Sequence, residues 1–177
     1  VTGRTVPSPP TESPGIYQTS ALFNAQVRDL NNFTLGVPVF SGYASTTQAI
    51  PNSAYTSFTL DTEEFDSDGG HSTVTNTSRY VAQVPGTYVV LGSSAWGASS
   101  SGYRRTRITL NGNAIRGLST GFDQNQVVTS AGIAMAVVAM NGTTDYVEVQ
   151  GAHNATSLST VSASDFCCAM RVYWLCR

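Results

Sequence analysis

The residues that could do chemistry are few and fall in three places. The densest is the run from Asp61 to Asn76, which holds Glu63, Glu64, Asp66, Asp68 and His71. Within it, Asp66-Ser67-Asp68-Gly69 imitates the opening of a calcium loop, where carboxylates before a glycine turn offer oxygen ligands to a hard cation. An EF-hand would carry a glutamate eleven positions after Asp66, and Thr77 stands there instead. Two readings stay open: a solvated acidic turn, or a calcium or other metal site using Asp66, Asp68 or His71. Glu63 and Glu64 are a poor acid pair, because neighbours on a strand point to opposite faces. The second place is the basic-aromatic cluster Tyr103, Arg104, Arg105 and Arg107. Tyr103, Arg105 and Arg107 could contact acidic or sugar groups through guanidinium forks and ring stacking. The plainer alternative is an exposed strand face, or pairing with Asp or Glu of another subunit. The third place is the C-terminus, with Cys167, Cys168 and Cys176. An odd count of clustered cysteines is no disulfide framework, and buried free thiols are expected. No catalytic constellation emerges. His71 and His153 lie in polar loops, and Gly97-Ala98-Ser99-Ser100-Ser101-Gly102 fails the spacing of a nucleophile elbow. An enzyme is therefore not expected. The Asn-x-Ser/Thr triplets at Asn32, Asn76, Asn141 and Asn154 read as chance in a Ser/Thr-rich chain.

The composition narrows the class. A length of 177 residues suits one domain with a short appendage. Hydrophobic residues make up 41%, enough for a packed core, while charged residues reach only 11%, under half the usual share of roughly 25%. All nine basic residues are arginine. The net charge of −2 leaves no basic footprint for nucleic acid. No apolar run approaches the ~20 residues of a membrane span, and the N-terminus lacks a charged-then-apolar leader pattern. Neither nucleic-acid binding nor membrane insertion is expected.

The elements that would position these residues come in two parts. Residues 1–19 are rich in Pro, Ser and Thr and predict an extended arm, ordered only against a partner. Thr19 or Ser20 can N-cap a helix from Ala21 to about Asn31 whose Phe23, Val27 and Leu30 form one stripe. Such a helix is too short to be stable alone. It either packs on its own domain or serves as an anchor, or three-helix stem, docking into a larger assembly. Gly36 and Pro38 mark a boundary, giving an arm and helix over 1–38 and a β domain over 39–177.

Beyond the boundary, short strands alternate with turns. Val84-Pro85-Gly86 predicts a hairpin between Ser78 and Trp96, and Asn111-Gly112 predicts a type I′ hairpin after Tyr103–Leu110, returning to Leu118. Another turn is expected at Asn141-Gly142, before a strand at Tyr146–Val149, and Asp61 to Asn76 reads as loop. Nine or ten such strands imply a β-sandwich or jelly roll. Three runs are apolar on both faces: Tyr88–Leu91, Gln126–Met140 and Phe166–Leu175. A sandwich covers one face of each sheet, so the second apolar face calls for another copy of the chain. Tyr88, Val90, Ile133, Met135, Val137, Met170, Val172 and Trp174 are the expected contact residues.

The order of motifs resembles the complement globular-head family within the tumour-necrosis-factor-like trimeric jelly rolls. The family's aromatic followed by Val-Pro-Gly-x-Tyr resembles Tyr80 and Val84-Pro85-Gly86-Thr87-Tyr88. Its Asn-Gly turn resembles Asn111-Gly112. Its Gly-Asp-x-Val strand is similar to Asp145-Tyr146-Val147, with Thr144 in place of the glycine. Its terminal aromatic strand resembles Phe166–Leu175, with Cys167-Cys168 where a Ser-Gly pair is usual. The resemblance implies an all-β, ten-strand jelly-roll homotrimer. It also implies a metal near the apex in some members, which bears on calcium by analogy alone. The segment Thr19–Phe33 after a Pro-rich arm, with Asp61–Tyr80, is similar to small virion proteins of phages infecting actinobacteria. That likeness implies a particle-bound knob on the virion exterior, attached to other virion proteins through the arm. Its expected work is tail-tip or fibre-type adhesion to a host glycan or protein. Two alternatives remain: a capsid-decorating or head-fibre trimer, and a secreted bacterial lectin-like module.

Overall fold

The computed structural model describes residues 4–117, 119–124, 127–163 and 165–177. The helix forms where the stripe predicts it and runs further. Thr19 Oγ1 accepts the Leu22 amide at 3.2 Å and caps α1 (Ser20–Phe23). One π-helical stretch, Asn24–Arg28, leads into α2 (Asp29–Leu35), which stops at Gly36. The extra turn carries Phe33, which is buried edge-on against Trp174 with ring centroids 5.0 Å apart.

Fifteen strand segments follow among the described residues: β1 (Val39–Tyr43), β2 (Ala49–Ile50), β3 (Thr56–Ser57), β4 (Thr62–Asp66), β5 (Arg79–Val81), β6 (Gly86–Trp96), β7 (Tyr103–Leu110), β8 (Asn113–Ala114), β9 (Thr120–Asp123), β10 (Ser130–Met140), β11 (Tyr146–His153), β12 (Leu158–Ser159), β13 (Ser162–Ala163), β14 (Phe166–Cys167) and β15 (Ala169–Cys176). Two antiparallel sheets stack. The first has the order β10-β6-β15-β1-β4; the second runs β3-β11-β7-β8, with β5 also on β11 and β9 on β7. Phe40, Phe58, Leu60, Tyr80, Trp96 and Ile108 fill the space between them. Leu118 and Gln126, where two strands were expected to end and begin, lie outside the described residues.

Three expectations need correction. Asp61 to Asn76 is not all loop: β4 lies within it and forms the outer edge of the first sheet on β1. The pair around Pro85-Gly86 is not a hairpin. β5 joins β11 in the second sheet while β6 joins β10 and β15 in the first, so Pro85-Gly86 is a corner between sheets. A Cβ on Gly86 would lie 2.3 Å from Trp174 Nε1 and 2.6 Å from the Cys176 carbonyl oxygen, so the corner closes only on glycine. Asn111-Gly112, with φ of 52° and 77°, does make the expected tight hairpin between β7 and β8.

The third correction concerns facing. Tyr88, Val90, Met170 and Val172 are wholly buried in the subunit's own core, and Trp174 is covered by Phe33. Those four are not contact residues for a neighbour, whereas Trp174 stays partly exposed. Strands β6 and β15 are central, and their bulky alternate positions point at the opposing sheet. Strand β10 does the reverse. Its small residues Ala134 and Ala136 face in, and Ile133, Met135 and Val137 face out. The inward side of β10 is tight, since a Cβ on Gly132 would come within 2.6 Å of Thr106 Oγ1.

Candidate functional site

The acidic run does not converge on a point. Asp66 turns its carboxylate back onto its own loop, accepting the amides of Gly69 at 3.0 Å and His71 at 2.8 Å. Asp68 is buried and paired with Arg4 of the arm, whose Nη2 donates at 2.6 Å and Nε at 3.3 Å. His71 lies between Glu63 Oε1 at 2.7 Å and the Thr77 carbonyl oxygen at 3.0 Å. Each proposed ligand already has a protein partner, and among the described residues no three His, Cys, Asp or Glu side chains are grouped to hold a metal ion. The run builds the β4 edge and a seat for the arm instead of the metal site weighed from the sequence. Arg4 also stands 5.6 Å over the Phe33 ring, so the start of the arm rests on the subunit itself.

The remaining groups with chemical potential have structural work. Cys168 is buried, which pushes its thiol up to about 12, against the Ala95 backbone bond that lowers it. Cys167 is half-buried and Cys176 exposed, so only one of the three thiols sits in the core. His153 Nε2 donates to the Ile50 carbonyl at 2.7 Å and Nδ1 accepts the Ala155 amide at 3.1 Å, which fixes one neutral tautomer. Arg104 turns inward, away from the cluster in which the sequence placed it. Its Nη1 donates to the carbonyls of Ser101 and Tyr103, both at 3.0 Å, tying down the loop before β7. Burial pushes its guanidinium below the usual range.

Two surfaces remain. On the first sheet, Ile133, Met135 and Val137 are 63%, 51% and 53% exposed on β10, which pairs only with β6 among the described residues. Val89 and Leu91 continue the apolar rows across β6, in register with Val137 and Met135. A depression of about 210 Å³ lies between Leu91, Ile133, Ala169 and Arg171. Phe23, Val27 and Leu30 form a second exposed stripe along the helix, each about two-fifths to one-half exposed. Only Phe33, outside that stripe, is used internally.

On the second sheet the exposed face is polar and aromatic. Alternation on β7 brings Tyr103, Arg105 and Arg107 to this side. Arg105 lies 4.3 Å from the Tyr103 ring centre and Arg107 lies 3.5 Å from that of Tyr55. Arg107 Nε and Nη2 both donate to Gln150 Oε1, at 2.9 and 2.7 Å, and Gln150 Nε2 donates to Ser57 Oγ at 3.1 Å. A third stack, Arg79 over Tyr146 at 4.1 Å, differs: Arg79 also faces the carboxylate of buried Glu148 at 3.5 Å. Tyr55 and Gln150 could not be found from the sequence. They lie about fifty and forty residues from Arg107, and only the β3-β11-β7 pairing brings them to it.

No family model matches the chain, and no curated protein matches it. Solved structures do. The globular domain of zebrafish complement 1qA protein matches with a TM-score of 0.57 at 14% identity, over 79% of this chain and 98% of that one. Murine APRIL, crystallised at pH 5.0, matches with a TM-score of 0.58 at 10% identity, over 78% of this chain and 98% of that one. At such identities the likeness is one of fold.

Proposed function

With the jelly-roll sandwich of complement globular heads and tumour-necrosis-factor-like proteins as premise, we propose that the chain is a non-catalytic homotrimeric binding knob on a phage particle. Residues 1–38 attach it and the sandwich is presented outward to the host surface. The observation that carries the assembly is strand β10: eleven residues, no charge, three large apolar side chains half or more exposed. A long, flat, greasy edge strand is a liability in a lone subunit. Edge-to-edge pairing of two copies would satisfy the free backbone groups of β10 but leave Ile133, Met135 and Val137 wet, because side chains stand perpendicular to the sheet. Covering them takes a neighbour laid over the face, and a head-to-tail contact of that kind can close on itself as a ring. The depression beside Ile133 offers room for a neighbour's apolar side chain. The number three comes from the family resemblance. The exposed helix stripe supports attachment, since Phe23, Val27 and Leu30 would gain cover from a partner. The virion setting rests on the resemblance of the arm, helix and acidic run to actinobacteriophage proteins.

Light scattering on the purified chain should give three times 18.7 kDa. A stable, soluble species of 18.7 kDa would overturn the assembly. Imaging of particles with the protein labelled tests the setting. Label on the tail tip supports adhesion, label spread over the head supports decoration, and absence from the particle rejects both.

A further inference from the structure

The arginines of this chain divide by what neutralises them. Arg4, Arg28, Arg79 and Arg171 each have a carboxylate within 3.5 Å, from Asp68, Asp29, Glu148 and Glu64 respectively. Several others, Arg105 and Arg107 among them, have none among the described residues, and these two share the open face of β7. What holds them is neutral: tyrosine rings beneath both, and for Arg107 the amide oxygen of Gln150, itself fixed by Ser57. A guanidinium clamped by neutral groups is preorganised, and no carboxylate is in contact with it. Two such groups stand two residues apart on one face of β7, about 7 Å along the strand. They do so on a chain whose net charge is −2.

We propose that this face of the second sheet binds an anionic polysaccharide through its carboxylates, with Arg105 and Arg107 as the two forks. The inference rests on the surface-binding reading above and names its ligand class. The geometry favours a carboxylate over a phosphate. Gln150 takes the Nε–Nη2 edge of Arg107, leaving the Nη1–Nη2 edge for a planar, two-oxygen partner. The Arg107 Cζ lies over the Tyr55 ring, 3.5 Å from its centre. A carboxylate coplanar with the guanidinium keeps its oxygens off the ring, whereas a tetrahedral phosphate directs an oxygen toward the electron-rich face. Repeating acid groups along a sugar chain would engage both forks, and three copies on one knob would multiply a weak contact.

The test is affinity electrophoresis of the full chain through gels containing polygalacturonate, neutral dextran or polyphosphate at low salt. Polygalacturonate should retard the protein and dextran should not. Gln150→Glu puts an internal carboxylate on Arg107 without removing any cation, and should weaken retardation about tenfold, the effect of losing one charged hydrogen-bonded pair. Arg105→Gln with Arg107→Gln should abolish it, while Arg79→Gln, which removes an already neutralised cation, should leave most of it. Melting curves and light scattering verify that each variant keeps its fold and assembly. No retardation by polygalacturonate, equal retardation of wild type and Gln150→Glu, or stronger binding to polyphosphate each overturns the proposal. A trimer that ignores polygalacturonate defeats this inference alone; a monomer defeats the reading beneath it.

Discussion

The first sheet has two edges, and they are built on opposite principles. Strand β4 is five residues long, carries Glu63, Glu64 and Asp66, and pairs with β1 through a register shift between Ser41 and Gly42. Shortness, charge and a bulge are the usual means of stopping a sheet from recruiting another strand. Strand β10 is eleven residues long, has no charged residue, and pairs with β6 without a register break. One edge is closed to association and the other is left open in every respect that the first is guarded. On the proposed assembly, the guarded edge meets solvent and the unguarded one meets a neighbour.

Four variants would break or sharpen this contrast. The largest effect is expected from Met170→Asp on β15. That side chain is wholly buried, and an unpaired carboxylate there costs several kcal/mol, so the subunit should fail to fold by circular dichroism. Val137→Asp puts the same charge on the outward face of β10, where it imitates the β4 edge. Light scattering should then show a folded monomer with near-native far-ultraviolet dichroism. A trimer that survives Val137→Asp would show that β10 is not covered by a neighbour. The converse change, Glu63→Val with Glu64→Val, unguards β4 and should promote higher-order aggregates, read as a concentration-dependent rise in scattering.

The smallest effect concerns Asp61, just before β4. Burial raises its carboxyl, but the Ser45 amide and the hydroxyls of Thr46, Ser45 and Thr62 outweigh it and hold the group below its ordinary 3.8. A folded value below the unfolded one contributes stability that is present above about pH 4 and lost as pH falls through the folded value. Asp61→Asn should therefore cost about 1 kcal/mol at neutral pH and flatten the acid limb of a stability–pH profile. An acid limb identical to wild type would mean that these bonds do not hold in solution.

Much of this was legible in the chain. Turn residues and apolar runs indicated an all-β sandwich, the Thr19-Ser20 pair announced the helix start, and the period of two on β10 separated Ile133, Met135 and Val137 from Ala134, Ala136 and Val138. What failed was facing. On β6 and β15 the same period of two was visible, but nothing local says which of two apolar faces looks inward, so Tyr88, Val90, Met170 and Val172 were sent to the wrong side. The acidic run misled for a related reason. Its spacing imitates ligands, while the partners that satisfy Asp68 and His71, namely Arg4 and the Thr77 carbonyl, cannot be read from that spacing.

By itself, the sequence determined periodicity, turns and composition: a lysine-free, weakly charged β protein with more apolar strand surface than one sandwich needs. Those are local or additive properties, set within a few residues or by counting. Only the tertiary structure decided which apolar face is spare, that Pro85-Gly86 crosses between sheets, and that Tyr55 and Gln150 come to lie against Arg107. These depend on strand partners far apart in the chain, and such pairings are chosen by the packing of the whole core.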